Sequence, residues 1–217
     1  MRHRLLGILL GSALLIGGAV LGGGAILWWH SPGRSLPLNP NDGSPNIMHS
    51  PQEALMQTMK AEHQIDTLLR RLVDQTPAIS YARVAIVHSH AVSLANMHAL
   101  DYSVIAGIAA AGHQTFQLTE DQPIWQWRDF LSEIIEKPSC TVRKLAEMTD
   151  PERIERLRKY HISLFIACSI FASRGTFLGV LFAYFDRADD LPSDPAPIIA
   201  RQLATAADIG IALVAAP

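Results

Sequence analysis

The sequence predicts an α+β domain that follows a single transmembrane helix. Two apolar runs, residues 162–172 and 176–185, are rich in Ile, Phe, Leu and Val and are joined by Ser173-Arg174-Gly175, which is typical of a buried β-hairpin with a tight turn. Amphipathic stretches on both sides of this hairpin predict helices that cover its sheet. An uncharged apolar segment, Leu5–Trp29, precedes the whole domain.

The composition fits one domain with an appendage and argues against two classes of protein. The chain has 217 residues and a net charge of −2, which gives no electrostatic basis for binding nucleic acid. Two cysteines exclude a disulfide-rich scaffold and leave either one bridge or two free thiols.

Residues 1–29 are predicted to form a cytoplasmic N-terminus and a transmembrane helix. The segment Leu5–Trp29 has no charged residue, and a helix of about 20 apolar residues crosses the hydrocarbon core of a bilayer. Trp28 and Trp29 stand where an interfacial aromatic belt would lie. A cleaved signal peptide is the competing interpretation, although its apolar core is normally shorter.

The basic residues beside this segment indicate its orientation. Arg2 and Arg4 lie on one side, and only Arg34 lies close on the other. The positive-inside rule therefore predicts an inner-membrane (plasma-membrane) protein whose C-terminal domain is periplasmic, with a cytoplasmic domain as the alternative.

Glycines in the apolar segment offer one route to a homodimer. Gly7 and Gly11 are spaced as GxxxG, and so are Gly18 and Gly22, a spacing that allows two membrane helices to approach closely. The alternative is that these spacings arise by chance in a glycine-rich segment.

Residues 30–49 are predicted to be a Pro/Gly/Ser-rich linker, and the domain to occupy residues 50–217. Ser50 as N-cap and Pro51 at the first helical position start a helix that we expect to run over Pro51–Asp74. Its apolar face either packs on the domain or pairs with a second copy.

The next elements alternate between strands and helices. Tyr81–His88 alternates as a strand, residues 102–111 form an apolar run that pairs with it, and residues 125–135 are amphipathic and predict a helix. A short strand over 139–142 precedes a helix that opens at Asp150 and runs to Arg158. Its basic residues alternate with acidic ones and are predicted to form a solvated helix face: Arg153, Arg156, Arg158 and Lys159. The central hairpin, a polar loop over 186–197 and a terminal helix over 198–214 complete the domain.

This order of elements resembles the GAF domain, a sensory fold related to PAS. The resemblance covers roughly residues 51–217 and is most specific over Arg158–Ser163 and over Gly175–Leu181, where GTFLGVL opens the second strand of the hairpin. It implies a central antiparallel sheet whose first and last helices pack together on one side. Gly179 in this motif allows either a helix or ligand to approach the sheet closely or the strand to twist more easily.

The sequence departs from two GAF subfamilies. It lacks the Asn-Lys-x-Phe-Asp-Glu pattern of cyclic-nucleotide-binding members, and Cys140 is followed by Thr141 instead of the His usual at bilin attachment sites. We therefore predict no cofactor.

Candidate ligand-binding residues lie near the ends of the first strands and on the 125–135 helix. His88 and His90 point to one face, and His98 lies on the following loop. With His113 they could reach a metal, but no Cys, Asp or Glu stands at ligand spacing, so we predict no metal site. Trp125, Trp127 and Phe130 could stack on a small ligand, although aromatic residues at helical spacing more often belong to the core.

Cys140 and Cys168 lie on strands that we expect to be neighbours. A periplasmic location would allow them to form a disulfide, whereas an inert buried thiol is the other interpretation of Cys168. A thiol enzyme on the GAF fold would need cysteines at a spacing that is absent here.

The sequence thus predicts a membrane-anchored GAF-like module that senses a ligand or contacts a protein, without enzymatic activity or catalytic residues. Its partners would be the membrane, an unidentified small molecule or protein, and a second copy. The alternatives are an accessory envelope protein with an empty pocket and, less favoured, a thiol-dependent redox enzyme.

Overall fold

The structure is a computed structural model that describes residues 51–89, 92–113, 122–173 and 175–215. The predictions about the anchor, its orientation, its glycines and the linker concern residues 1–49 and lie outside the described residues. Residues 50–217 form a compact unit of their own.

A six-stranded antiparallel sheet forms the centre of the domain. Its strands lie in the order β3-β2-β1-β6-β5-β4. Their bounds are β1 Tyr81–Val87, β2 Asp101–Ala109, β3 Gln122–Pro123, β4 Cys140–Lys144, β5 Leu164–Phe171 and β6 Phe177–Phe185. The predicted central hairpin is β5 and β6, and Gly175 in its turn has a φ of +79°, a conformation that glycine adopts without strain. The α+β fold class and its antiparallel sheet are therefore confirmed.

Two long helices, α1 (Pro51–Asp74) and α4 (Ala196–Ala215), pack together on one face of the sheet. They run antiparallel, because Arg201 near the start of α4 donates through Nη1 to the Gln75 carbonyl and, at 2.8 Å, to Thr76 Oγ1, both just after α1 ends. One buried apolar cluster joins the helices to the sheet through residues such as Leu69, Leu72, Val84, Ile166, Leu181, Ala206 and Ile209. The arrangement matches what the resemblance implied for the first and last helices.

The other face of the sheet is covered by short elements. These are a 3₁₀-helix at Ile124–Trp127, α2 (Leu131–Ile134) and α3 (Pro151–Lys159). The prediction of one continuous helix over 125–135 was wrong, because Phe130 takes φ −143° and ψ −11° and interrupts it. This break accompanies the complete burial of the Trp127 and Phe130 rings against the sheet, so packing outweighs helix continuity.

The close spacing of the central strands explains why residue 179 is a glycine. A Cβ on Gly179 would lie 2.1 Å from the Ala85 carbonyl oxygen on β1. The element that approaches Gly179 is therefore a neighbouring strand, and not a helix or a ligand.

Candidate ligand site on the aromatic face

The face of the sheet opposite α1 and α4 is built mainly from aromatic side chains. Successive strand residues point to opposite faces, so Ala82 and Val84 face the long helices whereas Tyr81 and Arg83 face away from them. We use the name aromatic face for the buried rings of Trp127, Phe130, Phe165, Phe182 and Tyr184.

Phe182 lies at the centre of the aromatic face. Its ring centroid is 5.8 Å from that of Trp127 and 5.9 Å from those of Phe130 and Phe165, mostly in edge-to-face geometry. Tyr184 stacks on it at 5.7 Å. All five rings are at most 1% exposed, so the face is a packed surface.

Arg153 reaches this face from α3. The residue is only 4% exposed, and its guanidinium carbon lies 5.0 Å from the ring centre of Phe130, 4.9 Å from Phe165 and 5.6 Å from Phe182. Nη1 donates to the Gln126 carbonyl at 2.7 Å. Nη2 is buried, and among the described residues it has no hydrogen-bond partner and no carboxylate forms an ion pair with Arg153.

A second guanidinium, that of Arg83, lies over the Phe182 ring. Arg83 on β1 lies 5.2 Å from the centre of Phe182 and 5.1 Å from the centre of Tyr184. Burial lowers the pKa of Arg153, the nearby Arg83 and Arg156 lower it too, and Tyr184 and Tyr102 raise it. Arginine still remains protonated at neutral pH. The aromatic face therefore holds buried positive charge.

Gln126 fixes the surroundings of Arg153. The side chain is 5% exposed, and its Oε1 accepts hydrogen bonds from Arg156 Nη2 at 2.9 Å and from the Tyr102 hydroxyl at 3.3 Å. These bonds hold the 3₁₀-helix in place, so the Gln126 carbonyl is positioned to accept from Arg153. Nearby, Trp127 Nε1 is buried without a hydrogen-bond partner among the described residues.

Asp129 is the acidic residue whose pKa responds to Arg153. Burial raises its pKa, but hydrogen bonds from Thr149 and the charges of Arg128 and Arg153 lower it below the ordinary value overall. Its two carboxylate oxygens accept from the Thr149 hydroxyl at 2.5 Å and the Thr149 amide at 3.1 Å. Thr149 thus holds this carboxylate by two hydrogen bonds, and among the described residues Asp129 forms no ion pair with Arg153.

The structure separates the predicted site residues. Trp127 and Phe130 belong to the aromatic face, whereas Trp125 is half-buried with the Arg128 guanidinium 4.8 Å from its ring centre. His88 and His98 are exposed, and His88 Nε2 lies 2.9 Å from Ser103 Oγ. His90 lies outside the described residues. No cluster of three metal-binding side chains occurs within the described ranges.

The prediction that Arg153 belongs to a solvated helix face was wrong. The acidic and basic residues alternate along α3, and this pattern did not distinguish the buried Arg153 from its neighbours. Arg156, Arg158 and Lys159 are exposed, as predicted. Arg153 stands four residues before the buried Leu157, so the two share one face of the helix. That spacing was the available signal.

The two cysteines face the long helices instead of the aromatic face. Cys140 on β4 pairs directly with Cys168 on β5 in the strand register, and the two form a disulfide with an S–S distance of 1.99 Å. Both belong to the apolar cluster beneath α4, and Cys168 is fully buried.

The fold is similar to solved photoreceptor GAF domains at low sequence identity. The GAF domain of PixJ from Thermosynechococcus elongatus, in its blue-light-absorbing form, gives a TM-score of 0.54 and 14% identity over 75% of this chain and 88% of that chain. A red/green cyanobacteriochrome in its green-light-absorbing state gives 0.54 and 13% over 71% and 94%. The photosensory core module of a Stigmatella aurantiaca phytochrome gives 0.53 and 11% over 76% of this chain and 35% of that chain.

No protein-family model and no curated protein matches the chain. The structural likeness therefore shows the fold alone: residues 51–215 have a GAF-like fold, as the sequence resemblance implied.

Proposed function

We propose that this chain is a membrane-anchored sensory module, without catalytic activity, that binds a small anion with an apolar body at its aromatic face. The observation that supports this most directly is Arg153, a buried guanidinium whose Nη2 donors have no partner among the described residues.

Burying the charged guanidinium of Arg153 costs free energy that its contacts within the domain offset only in part. Removing an ion from water costs several kcal/mol even after relaxation, and one carbonyl and three aromatic rings replace only part of its hydration. A carboxylate or phosphate would supply the missing acceptor, because the planar guanidinium fork matches both groups. Arg83, whose guanidinium carbon lies 5.2 Å from the centre of the Phe182 ring, would add a second positive charge.

The apolar part of such a ligand is suggested by the rings around both arginines. A small-molecule site normally combines apolar and aromatic walls with a few polar groups that fix orientation. Phe130, Phe165 and Phe182 would provide the walls, and Arg153 and Trp127 Nε1 the polar groups.

A covalently attached bilin does not fit this chain. The similar structures are light-absorbing photoreceptor domains. Here both cysteines are bonded to each other and belong to the apolar cluster beneath α4, away from the aromatic face. The same bond leaves neither cysteine as the thiolate that a redox enzyme on this fold would use.

We further propose that residues 5–29 anchor the domain on the periplasmic side of the inner membrane. The disulfide supports this location, because such bonds persist in oxidising compartments and are rare in the cytosol. Binding at the aromatic face would then be relayed through α1 and α4 to the anchor or to a partner.

A second candidate is an accessory protein that uses the fold only to contact a partner. The close packing of the aromatic face favours it, because rings already fill the space over the centre of the sheet.

The experiment is a thermal-shift comparison on the full chain in detergent micelles. Phenylacetate and phenyl phosphate carry the required charge, and phenylacetamide is the uncharged control. At a ligand concentration of about 100 times Kd, binding stabilises by about 2.7 kcal/mol, which raises Tm by roughly 5–10 °C for a domain of this size. We expect a rise with either anion and none with the amide.

Substitutions of single arginines test whether the rise in Tm comes from binding at the aromatic face. Arg153→Gln should abolish the rise in Tm, and Arg158→Gln, an exposed arginine on the same helix, should retain it. Arg83→Gln should weaken it and serves as a second variant if Arg153→Gln folds poorly. No rise with any anion in the wild type, or an undiminished rise in Arg153→Gln, would favour the accessory role instead.

A further inference from the structure

The outer face of α4 is apolar, and none of the described residues covers it. This helix is long and apolar enough to cross a membrane, yet less than half of its most apolar stretch is buried. Five exposed residues follow one line along it, and we call them the α4 seam: Ala200, Ala204, Ala207, Ile211 and Val214. Ile211 is 63% exposed and Val214 51%.

The spacing of the α4 seam is that of a helix-pairing surface. Its residues recur at intervals of four, three, four and three, which is the repeat that keeps one side of a helix against a partner helix. A helix that is apolar all round is normally buried all round. The alanines would allow close approach, and Ile211 and Val214 would supply apolar area.

The charges of α4 indicate which partner fits. Arg201 and Asp208 are its only charged residues, they have opposite signs, and both are exposed. Each follows directly after a seam alanine, so both lie on the same edge of the seam. In an antiparallel pair of α4 helices this edge faces itself. If Ala204 lies opposite Ala207 of a second copy, then Arg201 lies beside Asp208 of that copy, and the reverse contact forms by symmetry.

A parallel pair would not use these charges. The edge with Arg201 and Asp208 would then face the edge with Leu203 and Gly210, which carries no charge. Among the described residues, Arg201 forms hydrogen bonds through Nη1 alone, to the Gln75 carbonyl and Thr76 Oγ1, so its other N–H groups can bind a partner.

We propose that α4 pairs antiparallel with α4 of a second copy of this chain, about a twofold axis between Ala204 and Ala207. This register sets Ala200 against Ile211 of the other copy, a small residue against a large one. Surface ion pairs add at most about 1 kcal/mol each, so the apolar seam supplies affinity and the charges select the register. Near the N-terminal end of α1, Met56 and Met59 are also exposed, at 68% and 59%.

The first test is the oligomeric state of the full chain in detergent micelles, measured by sedimentation equilibrium over a range of concentrations. We expect a monomer–dimer equilibrium that Ala207→Glu shifts to monomer. Ala146→Glu, at an exposed alanine away from α4, should leave it unchanged. A wild type that is monomeric throughout, or a dimer that survives Ala207→Glu because another segment pairs, overturns the proposal.

The second test fixes the direction of the pair. Arg201→Asp and Asp208→Arg each place like charges together twice in a homodimer, so each should raise the dimer Kd about tenfold. Mixed in equal amounts, the two variants restore both ion pairs in the antiparallel heterodimer, and the wild-type Kd should return. A mixture no tighter than either variant alone would contradict the antiparallel register, since a parallel pair does not bring these charges together.

Discussion

Breaking the Cys140–Cys168 bond should lower the stability of the domain by a calculable amount. The two residues are 28 positions apart, so the bond closes a loop of that length in the unfolded chain. The chain-entropy relation assigns such a loop about 3.5 kcal/mol at 25 °C. For a domain of this size each kcal/mol changes Tm by roughly 2–4 °C, so the expected loss is roughly 7–14 °C.

Cys140→Ala is the preferred variant, because Cys140 is half-buried whereas Cys168 is fully buried and its removal would add a cavity. Val142→Ala, on the same strand and facing the same cluster, is the matched control for lost packing. Thermal unfolding of the full chain in micelles, followed by circular dichroism, gives both values of Tm.

If the Tm of Cys140→Ala falls no further than that of Val142→Ala, the disulfide does not stabilise the domain as expected. Alkylation followed by mass spectrometry provides an independent check. Both cysteines should resist alkylation in the untreated protein and react after reduction in denaturant.

Three further predictions follow from the packing. Gly179→Ala should destabilise by about 1–3 kcal/mol in urea unfolding, because its methyl group would meet the Ala85 carbonyl; an unchanged midpoint would contradict the close strand approach. Asp150→Ala should cost about 1 kcal/mol, because Oδ1 caps α3 by accepting from the amides of Glu152 and Arg153, whereas Asp150→Asn should keep most of that stability. Burial raises the pKa of Tyr81 to about 12. The contribution of the protonated hydroxyl to the free energy of unfolding is therefore complete below pH 10, the pKa in the unfolded chain, and roughly 3 kcal/mol of it is lost as the pH rises towards 12. Tyr81→Phe should reduce this alkaline loss of stability.

The architecture was predictable because it is encoded in periodicity and turn residues. The apolar runs on either side of Gly175 form the hairpin that their composition predicts, and the strand predicted at Tyr81–His88 is β1, whose alternate residues enter the clusters on opposite faces of the sheet. The N-cap Asp150 likewise marked the start of α3.

The candidate site was harder to predict, because it depends on contacts that sequence spacing does not show. Arg153 looked like its exposed neighbours, and only the fold brings it over Phe130, Phe165 and Phe182. The break at Phe130 in the predicted 125–135 helix was missed for the same reason. The ring of Phe130 packs on β5 and β6, far away in sequence, and this tertiary contact overrides local helix propensity.

The proposed binding of an anion to Arg153 Nη2 at the aromatic face can be tested by locating the ligand directly. The most direct measurement is a crystal structure of the protein soaked with 4-bromophenylacetate, in which anomalous scattering locates the bromine. We expect a carboxylate within hydrogen-bond distance of Arg153 and a bromine over the rings of the aromatic face. A ligand bound elsewhere, or an aromatic face that stays closed while the compound is present, would contradict it.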